Sequence, residues 1–218
     1  MLEKLLQTLP AAAVIKTNGN YLPVNLSVDN LELPVAATAS EFETFLDGIL
    51  KRNDASVAYG GYLEKRNLYR RSGIFNDDES APRDIHIGLD LWAKAGTEIH
   101  APLDGKVHSF AYNVGLGNYG PTIILEHDIN SIRFYTLYGH LSVESIEELE
   151  IGDTYKAGQV LATLGDASVN GDYAPHLHFQ IIKDIEGNFG DYPGVCSAAD
   201  LDFYESNCPN PNLLLKLN

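Results

Sequence analysis

Two histidines, His176 and His178, lie on a short apolar segment that runs from Ala174 to Ile182. The aromatic and β-branched residues of this segment predict a strand, in which side chains two residues apart project from the same face. The two imidazoles would then stand about 6 to 7 Å apart along the strand. One of them could bind a metal ion while the other acts on what the metal holds.

Two further motifs place polar side chains at spacings that suit the same chemistry. In His86-Ile87-Gly88-Leu89-Asp90, an imidazole and a carboxylate stand at even spacing in an extended segment, so both can face one side, and Gly88 leaves room beside the backbone. In Tyr138-Gly139-His140-Leu141, His140 follows a glycine at the end of a predicted strand. That is a rim position from which side chains reach into clefts.

Two histidines and one carboxylate form a ligand set that suits Zn²⁺, with water at the open position of a catalytic site. Bound zinc lowers the pKa of its water to about 7 and polarises a carbonyl group, which favours amide hydrolysis. Such a reaction also needs a base and a donor for the developing oxyanion. No H-E-x-x-H helix supplies a glutamate base, so two surplus histidines would have to serve.

The residues beyond Arg83 must position these motifs, and their pattern is one of short β segments broken by Gly, Asp and Asn. Many short strands with little helical periodicity indicate an all-β sandwich or barrel. The predicted strands are Ile85 to Leu91, Glu98 to Ala101, Lys106 to Tyr112, Thr122 to His127, Ile132 to Tyr138, Val160 to Leu164 and His176 to Ile182.

The remainder of the chain divides by composition. Residues 1–57 are predicted to form a small α+β extension, with a first helix ended by Pro10 and a second over about Glu41 to Arg52, where Ser40 and Glu43 have capping-box spacing. Residues 58–83 are predicted to be a linker or cleft-lining loop, residues 84–186 the main β domain, and residues 187–218 a loop-rich tail packed on that domain.

Composition excludes some partners and leaves the compartment open. The 218 residues carry a formal net charge of -15, which disfavours nucleic acids and anionic membranes, and they contain no apolar run long enough for membrane insertion. No secretory signal is visible, which favours the cytoplasm; a periplasmic or extracellular location is expected if a signal has been removed. Cys196 and Cys208 could pair, but two cysteines imply no disulfide framework. The oligomeric state is left open.

The three motifs H-x-G-x-D, Y-G-H-L and H-L-H-F, in this order, resemble those of the lysostaphin/LytM-type zinc endopeptidases, many of which cut peptide cross-links in bacterial cell walls. The resemblance covers Asp84 to Ile182. It implies a β-sandwich of the duplicated-hybrid-motif type and a peptide or peptidoglycan-derived substrate. It also implies site roles: Zn²⁺ ligands His86, Asp90 and His178, and a catalytic pair His140 and His176.

The sequence departs from that family at three places, and the departures leave the substrate open. The run before H-L-H-F, Gly165 to Pro175, is longer and more acidic than the usual small-residue run. Gln180 stands where family members often have Glu. A tyrosine that some members place shortly before the first ligand has no equivalent between Ser80 and Ile85, and only Tyr62 or Tyr69 could substitute for it.

Several other polar and aromatic residues are expected to have structural roles. We expect His100, His108 and His127 to be surface or hydrogen-bonded residues, Asp166 and Asp172 to be solvated loop carboxylates, and Trp92 and Phe179 to lie in the core. The basic cluster of Lys65, Arg66, Arg70 and Arg71 is expected to form salt bridges, with recognition of a substrate carboxylate as the alternative.

Three functions fit these observations to different degrees. An active zinc metallopeptidase accounts for the full set of histidines. A non-catalytic scaffold of the same fold, which binds or activates a cell-wall hydrolase, would typically lack metal ligands, and a biotinyl- or lipoyl-type carrier domain would leave the histidines unexplained. In addition, Ala58 to Ser80 could lie across the cleft and inhibit the site through Asn67 or Asn76.

Overall fold

The structure is a computed structural model that describes residues 1–34, 37–67 and 82–217. It is mainly β, as predicted, and its sheets are open. The helices are α1 (Leu2–Thr8), α2 (Ala39–Arg52), α3 (Glu144–Glu147), α4 (Leu201–Asn207) and α5 (Asn212–Leu215). The strands are β1 (Asn20–Pro23), β2 (Ala55–Gly60), β3 (Glu64–Lys65), β4 (Ile85–His86), β5 (Leu89–Trp92), β6 (Glu98–His100), β7 (Gly105–Asn113), β8 (Gly120–Ile129), β9 (Ile132–Gly139), β10 (Thr154–Tyr155), β11 (Val160–Thr163), β12 (His176–Ile182) and β13 (Val195–Cys196).

The main sheet has eight strands in the order β1-β2-β5-β12-β9-β8-β7-β10. Every pairing in it is antiparallel except that of β1 with β2. The central strand β12 lies between β5 and β9, with His178 paired to Asp90 on one side and to Gly139 on the other. This register brings the three sequence motifs side by side.

Strand β12 divides the protein into a core side and a site side because successive residues alternate between its faces. Leu177, Phe179 and Ile181 lie fully buried in the main hydrophobic core. His176, His178 and Gln180 project from the opposite face. The strand therefore anchors the sheet and presents the polar groups of the site at once.

Two smaller sheets complete the β structure. In the first, β6 pairs antiparallel with β11. In the second, β4 lies between β13 and β3, in the order β13-β4-β3. His86, on β4, therefore has a pairing partner on each side. It pairs with Glu64 of β3, which precedes it in the chain, and with Val195 of β13, which lies in the C-terminal tail.

The N-terminal residues join the main sheet through β1 and β2, and β2 pairs directly with β5. Helix α2 was predicted with Ser40 and Glu43 as its capping box, and that prediction is wrong. The cap is Thr38, whose side chain accepts from the backbone N–H of Glu41 while the Glu41 side chain accepts from that of Thr38. The capping box forms at Thr38, two residues earlier, because Ser40 already lies inside the first turn of the helix.

The C-terminal residues 187–218 contain more regular structure than a loop-rich tail, namely β13, α4 and α5. Leu214 and Leu215 on α5 are buried in the main core, where α1 also packs. Cys196 and Cys208 are both free thiols and both buried, so the disulfide that the sequence allowed is not formed. Within the described ranges, no helix is long and apolar enough to cross a membrane.

Candidate metal and catalytic site

Three side chains from the first and third motifs converge where β4, β5 and β12 meet. His86 Nε2 lies 2.8 Å from His178 Nδ1 and 3.2 Å from Asp90 Oδ1, and His178 Nδ1 lies 3.1 Å from that same oxygen. All three residues are buried, and each offers one ligand atom within 4.8 Å of the others. The predicted metal ligands are therefore brought together.

The hydrogen bonds of the two imidazoles show which nitrogen of each faces the centre. His86 Nδ1 lies 2.8 Å from the carbonyl oxygen of Gly61, which can only accept, so Nδ1 carries the hydrogen and Nε2 a lone pair. His178 Nε2 lies 3.0 Å from Gln180 Oε1, which leaves the lone pair on Nδ1. Two imidazole lone pairs and a carboxylate oxygen thus face one another. Such a donor set fits a divalent cation such as Zn²⁺.

Glycines next to the site allow the imidazoles to come this close to the backbone. A Cβ atom added at Gly88 would lie 2.4 Å from Cε1 and 2.6 Å from Nε2 of His178. A Cβ atom at Gly61, where φ is +104°, would lie 2.9 Å from Nδ1 of His86. The room that the sequence predicted at Gly88 is therefore occupied by the imidazole of His178, a candidate ligand.

The second oxygen of Asp90 is held by a buried arginine. Arg66 Nη1 lies 2.5 Å from Asp90 Oδ2, and Arg66 Nε lies 2.6 Å from Glu64 Oε2. Burial alone would raise the pKa of Asp90, but the neighbouring His86 and the Arg66 guanidinium together hold it well below its usual range. Asp90 is thus kept ionised, with Oδ1 directed at the two histidines.

His140 and His176 lie next to the ligand cluster, with their ring centroids 4.2 Å apart. The Nδ1 atom of each lies 2.8 Å from a backbone carbonyl oxygen, that of Asn170 for His140 and that of Ala174 for His176. Each Nδ1 must donate, so each Nε2 carries a lone pair. His176 Nε2 lies 3.9 Å from Asp90 Oδ1, which places this lone pair beside the candidate metal ligands.

Burial keeps both of these histidines neutral. It lowers the pKa of His176, and it lowers that of His140 well below the usual range, with a further contribution from the neighbouring His176. The His176 ring also stacks on Trp92, with centroids 5.7 Å apart and planes 21° apart. Trp92 is buried as predicted, and in addition it supports a site residue.

The loop that precedes β12 supplies a residue that the sequence motifs did not reveal. Asn170 is fully buried; its side chain donates to Tyr173 O and accepts from Tyr173 N, while its own carbonyl oxygen bonds His140. The unusual run from Gly165 to Pro175 is therefore the support for His140. Its role depends on a backbone carbonyl group, which any residue type possesses.

The sequence motifs also did not reveal which tyrosine lies at the site. Tyr62 donates to Cys208 O and does not reach the site, and Tyr69 lies outside the described residues. Instead, Tyr119 Oη lies 3.3 Å from His178 Nε2, and the Tyr119 ring packs on His140 with centroids 5.5 Å apart. Glycine-rich neighbours in sequence, Gly117 and Gly120, were the available signal for close packing there.

A cleft opens over this cluster, and its walls come from several parts of the chain. They include Arg66, Tyr119, Tyr173 and the tail segment from Asp191 to Val195. The tail is fixed to the ligand motif, because Ile87 N donates to Gly194 O at 2.9 Å. The cleft is thus built partly from residues on either side of the three motifs.

Two of the three remaining histidines are hydrogen-bonded, as we expected. His127 bonds Asp104 O and Thr136 Oγ1, and His108 Nδ1 lies 2.8 Å from Ser109 Oγ. His100 departs from the expectation, because it is buried and its Nδ1 has no hydrogen-bond partner among the described residues. Asp166 is an exposed loop carboxylate. The salt-bridge prediction is confirmed for Arg66 and for Lys65, which lies 3.3 Å from Asp84, whereas Arg70 and Arg71 lie outside the described residues.

The self-inhibition hypothesis stays a prediction. Asn67 is exposed, and Asn76 lies outside the described residues.

Comparison with known proteins agrees with the motifs. The profile of peptidase family M23 matches residues 84–189. An uncharacterised metalloprotease of Haemophilus influenzae is 33% identical over 95 residues, which are 44% of this chain and only 18% of that protein. Among solved structures, the catalytic domain of the antimicrobial peptidase lysostaphin from Staphylococcus simulans is 27% identical (56% of this chain, 80% of that chain, TM-score 0.39). A zinc-containing peptidase from Vibrio cholerae is 29% identical (45% of this chain, 27% of that chain, TM-score 0.36).

Proposed function

Because residues 84–189 match peptidase family M23, we propose that this chain is a zinc-dependent metallopeptidase that hydrolyses peptide bonds. One observation carries the proposal. The lone pairs of His86 and His178 and the carboxylate of Asp90 face one another beside two neutral histidines whose Nε2 atoms carry lone pairs. That arrangement combines a metal site and a base in one cleft.

His86 through Nε2, Asp90 through Oδ1 and His178 through Nδ1 would hold the metal ion. When bound there, Zn²⁺ supplies a water of lowered pKa and a Lewis acid for the scissile carbonyl group. Arg66 holds the other oxygen of Asp90 at 2.5 Å, so the ligand oxygen keeps its direction. All three of these residues are buried, which strengthens the electrostatic interactions between them.

His140 and His176 would transfer the proton of the attacking water and stabilise the developing negative charge. A neutral imidazole with a lone pair on Nε2 can accept a proton from the attacking water, and once protonated it can donate to an oxyanion or to the leaving amine. The Nδ1 hydrogen bonds to Asn170 O and Ala174 O fix the ring orientations before substrate arrives. The ring separation of 4.2 Å lets the two imidazoles act on one substrate.

The finer assignment of substrate rests on the family resemblance. Peptides of the bacterial cell wall, or peptides derived from peptidoglycan, are the substrate class that we propose. If the protein works in the cytoplasm, intact peptidoglycan is out of reach, and recycled wall peptides or ordinary peptides take its place.

Zinc analysis combined with hydrolysis of a defined peptide panel tests the proposal. The panel contains glycine-rich peptides, cross-bridges with D-amino acids, and plain L-peptides. The wild-type chain should hydrolyse one class with one zinc bound, His178→Ala should lose both metal and activity, and His140→Ala should keep zinc and lose about 10² to 10⁴ in turnover.

A matched control is His108→Ala, which removes an imidazole that contacts Tyr135 and Phe189 rather than the cleft. It should keep both metal and activity. Stoichiometric zinc in the wild-type chain with no hydrolysis of any peptide would favour the non-catalytic scaffold.

A further inference from the structure

Gln180 occupies a position on β12 that makes it a neighbour of the metal site although it is not a ligand. It follows His178 by two residues, so both side chains project from the same face of the strand. Gln180 is fully buried, and His178 is only 3% exposed. A buried amide needs partners for its oxygen and its nitrogen, and the identity of those partners decides what it can do.

The orientation of the Gln180 amide is set from the C-terminal tail. Its Nε2 donates to Pro193 O at 3.1 Å and to Cys208 Sγ at 3.2 Å. Pro193 O can only accept, so the NH₂ group must face it and Oε1 must face His178. The amide therefore cannot be reversed without losing its bond to Pro193.

The hydrogen-bond acceptor beside His178 determines which of its ring nitrogens carries the hydrogen. Gln180 Oε1 lies 3.0 Å from His178 Nε2 and has no hydrogen to give, so Nε2 must carry the hydrogen and Nδ1 the lone pair. From this geometry we propose that Gln180 is a positioning residue, which fixes the tautomer and the ring orientation of His178 so that Nδ1 is presented to the metal. The inference rests on the proposed function, because it concerns the same zinc site.

A neutral amide does this without adding charge. Outer hydrogen bonds from ligating histidines to carboxylates or carbonyls orient the ring and raise its basicity. Here the acceptor is uncharged, so it orients the ring and leaves the positive charge of the bound metal less compensated than a carboxylate would. The tail residues Pro193 and Cys208, which lie beyond the family match, thereby become part of the support of the metal site.

The test compares zinc affinity, measured by competition with a chelator, and the tautomer of His178, measured by long-range ¹⁵N–¹H NMR of the zinc-loaded chain. The wild-type spectrum should show a protonated Nε2 and a metal-bound Nδ1 for His178. Gln180→Leu should weaken zinc binding by about 10- to 100-fold. Gln180→Glu keeps an acceptor for the Nε2 hydrogen, so it should restore most of the lost affinity although it loses its donor to Pro193 O.

Thr136→Val is the matched control, because Thr136 is a fully buried polar residue on the adjacent strand β9 that contacts His127 and Tyr138 instead of the site. It should lower thermal stability and leave zinc affinity unchanged.

Three results would overturn the inference. Two of them would contradict this inference and leave the proposed function intact. One is that Gln180→Leu binds zinc as tightly as the wild-type chain does, and the other is a wild-type spectrum in which His178 is bound through Nε2. A wild-type chain that takes up no zinc would contradict the proposed function and this inference with it. The NMR measurement uses only the wild-type chain, so a His178 bound through Nε2 would overturn the inference even if Gln180→Leu does not fold.

Discussion

The imidazole of His178 lies in the space that Gly88 leaves between β4 and β5. In Gly88→Ala the new Cβ would lie 2.4 Å and 2.6 Å from ring atoms of His178 and 3.1 Å from Phe179 O, so the ligand ring would have to move. We expect Gly88→Ala to lose most of its zinc affinity while it remains folded. Zinc competition assays on the purified variant measure this.

The control for that substitution is Gly48→Ala, on the helix α2, where the added Cβ meets only the flexible end of Arg52 at 3.3 Å. It should bind zinc as the wild-type chain does and gain up to about 1 kcal/mol of stability, because alanine favours helices over glycine. Unchanged zinc affinity in Gly88→Ala would show that His178 is not held where we place it.

A second residue-scale prediction concerns a histidine that is remote from the metal site. His127 bonds Asp104 O through Nδ1 at 2.9 Å and Thr136 Oγ1 through Nε2 at 2.7 Å, and burial lowers its pKa to about 4. In the unfolded chain its pKa is about 6.5. Between these two values the unfolded chain binds a proton that the folded chain does not, so stability falls as pH falls from about 6.5 to about 4.

The loss from this one group is on the order of 3 kcal/mol when the window has been crossed, and it is absent above pH 6.5. Urea unfolding of the zinc-free chain at pH 7 and at pH 4.5 measures it, with His127→Gln as the comparison. The free energy of unfolding should fall less in His127→Gln than in the wild-type chain. Equal losses in the two chains would remove His127 as a cause of acid instability.

Sequence motifs predict the residues of the site better than they predict its supports. The even spacing of His176 with His178 correctly predicted that both project from one face of β12, because strand alternation is a local rule. The single strand that the sequence predicts over Ile85 to Leu91 is instead two strands in different sheets, β4 and β5, so alternation along one strand does not explain why His86 lies beside Asp90. Asn170 escaped prediction because it acts through its backbone carbonyl group.

At the scale of elements, the N-cap of α2 lies two residues before the one that the sequence pattern predicted. Thr38→Ala removes the hydroxyl that accepts from Glu41 N at 3.2 Å, and it should cost about 1 kcal/mol of unfolding free energy. Ser40→Ala is the matched control, since Ser40 is exposed and lies within the helix, and it should change stability by a few tenths of a kcal/mol. Chemical denaturation of both variants distinguishes the two caps, and a larger loss in Ser40→Ala would contradict the cap that we describe.

The strands of the main domain were predictable because alternation and turn residues are local signals, whereas their partners were not. Nothing near Ala55 to Gly60 in the sequence indicates that β2 pairs antiparallel with β5, or that β1 joins β2 in parallel. These pairings depend on contacts between distant segments, which a one-dimensional pattern does not encode. The same holds for the tail, whose residues Pro193 and Gly194 reach the site only in the folded chain.

At the scale of the whole molecule, the site is built from residues of the family match and from residues on both sides of it. Arg66 precedes residues 84–189 and holds Asp90, while Pro193 and Cys208 follow them and hold Gln180. A chain cut to the family match would therefore retain every candidate ligand and lose Arg66, Pro193 and Cys208. The resemblance names the candidate ligands, but the role of the flanking segments is visible only in the folded structure.

The charge of the whole molecule bears on its substrates as well. A formal net charge of -15 repels polyanions at low ionic strength, so any anionic wall polymer must be met by local positive charge near the cleft, such as that of Arg83. A peptide without net negative charge carries no such penalty.

The central claim is that His86, Asp90 and His178 hold a catalytic zinc ion. Anomalous diffraction from crystals of the zinc-loaded chain, collected on both sides of the zinc absorption edge, tests it most directly. We predict one strong zinc peak per chain, within about 2.0 to 2.2 Å of His86 Nε2, Asp90 Oδ1 and His178 Nδ1. A zinc peak bound elsewhere, or no peak between these three atoms after equilibration with zinc, would contradict the claim.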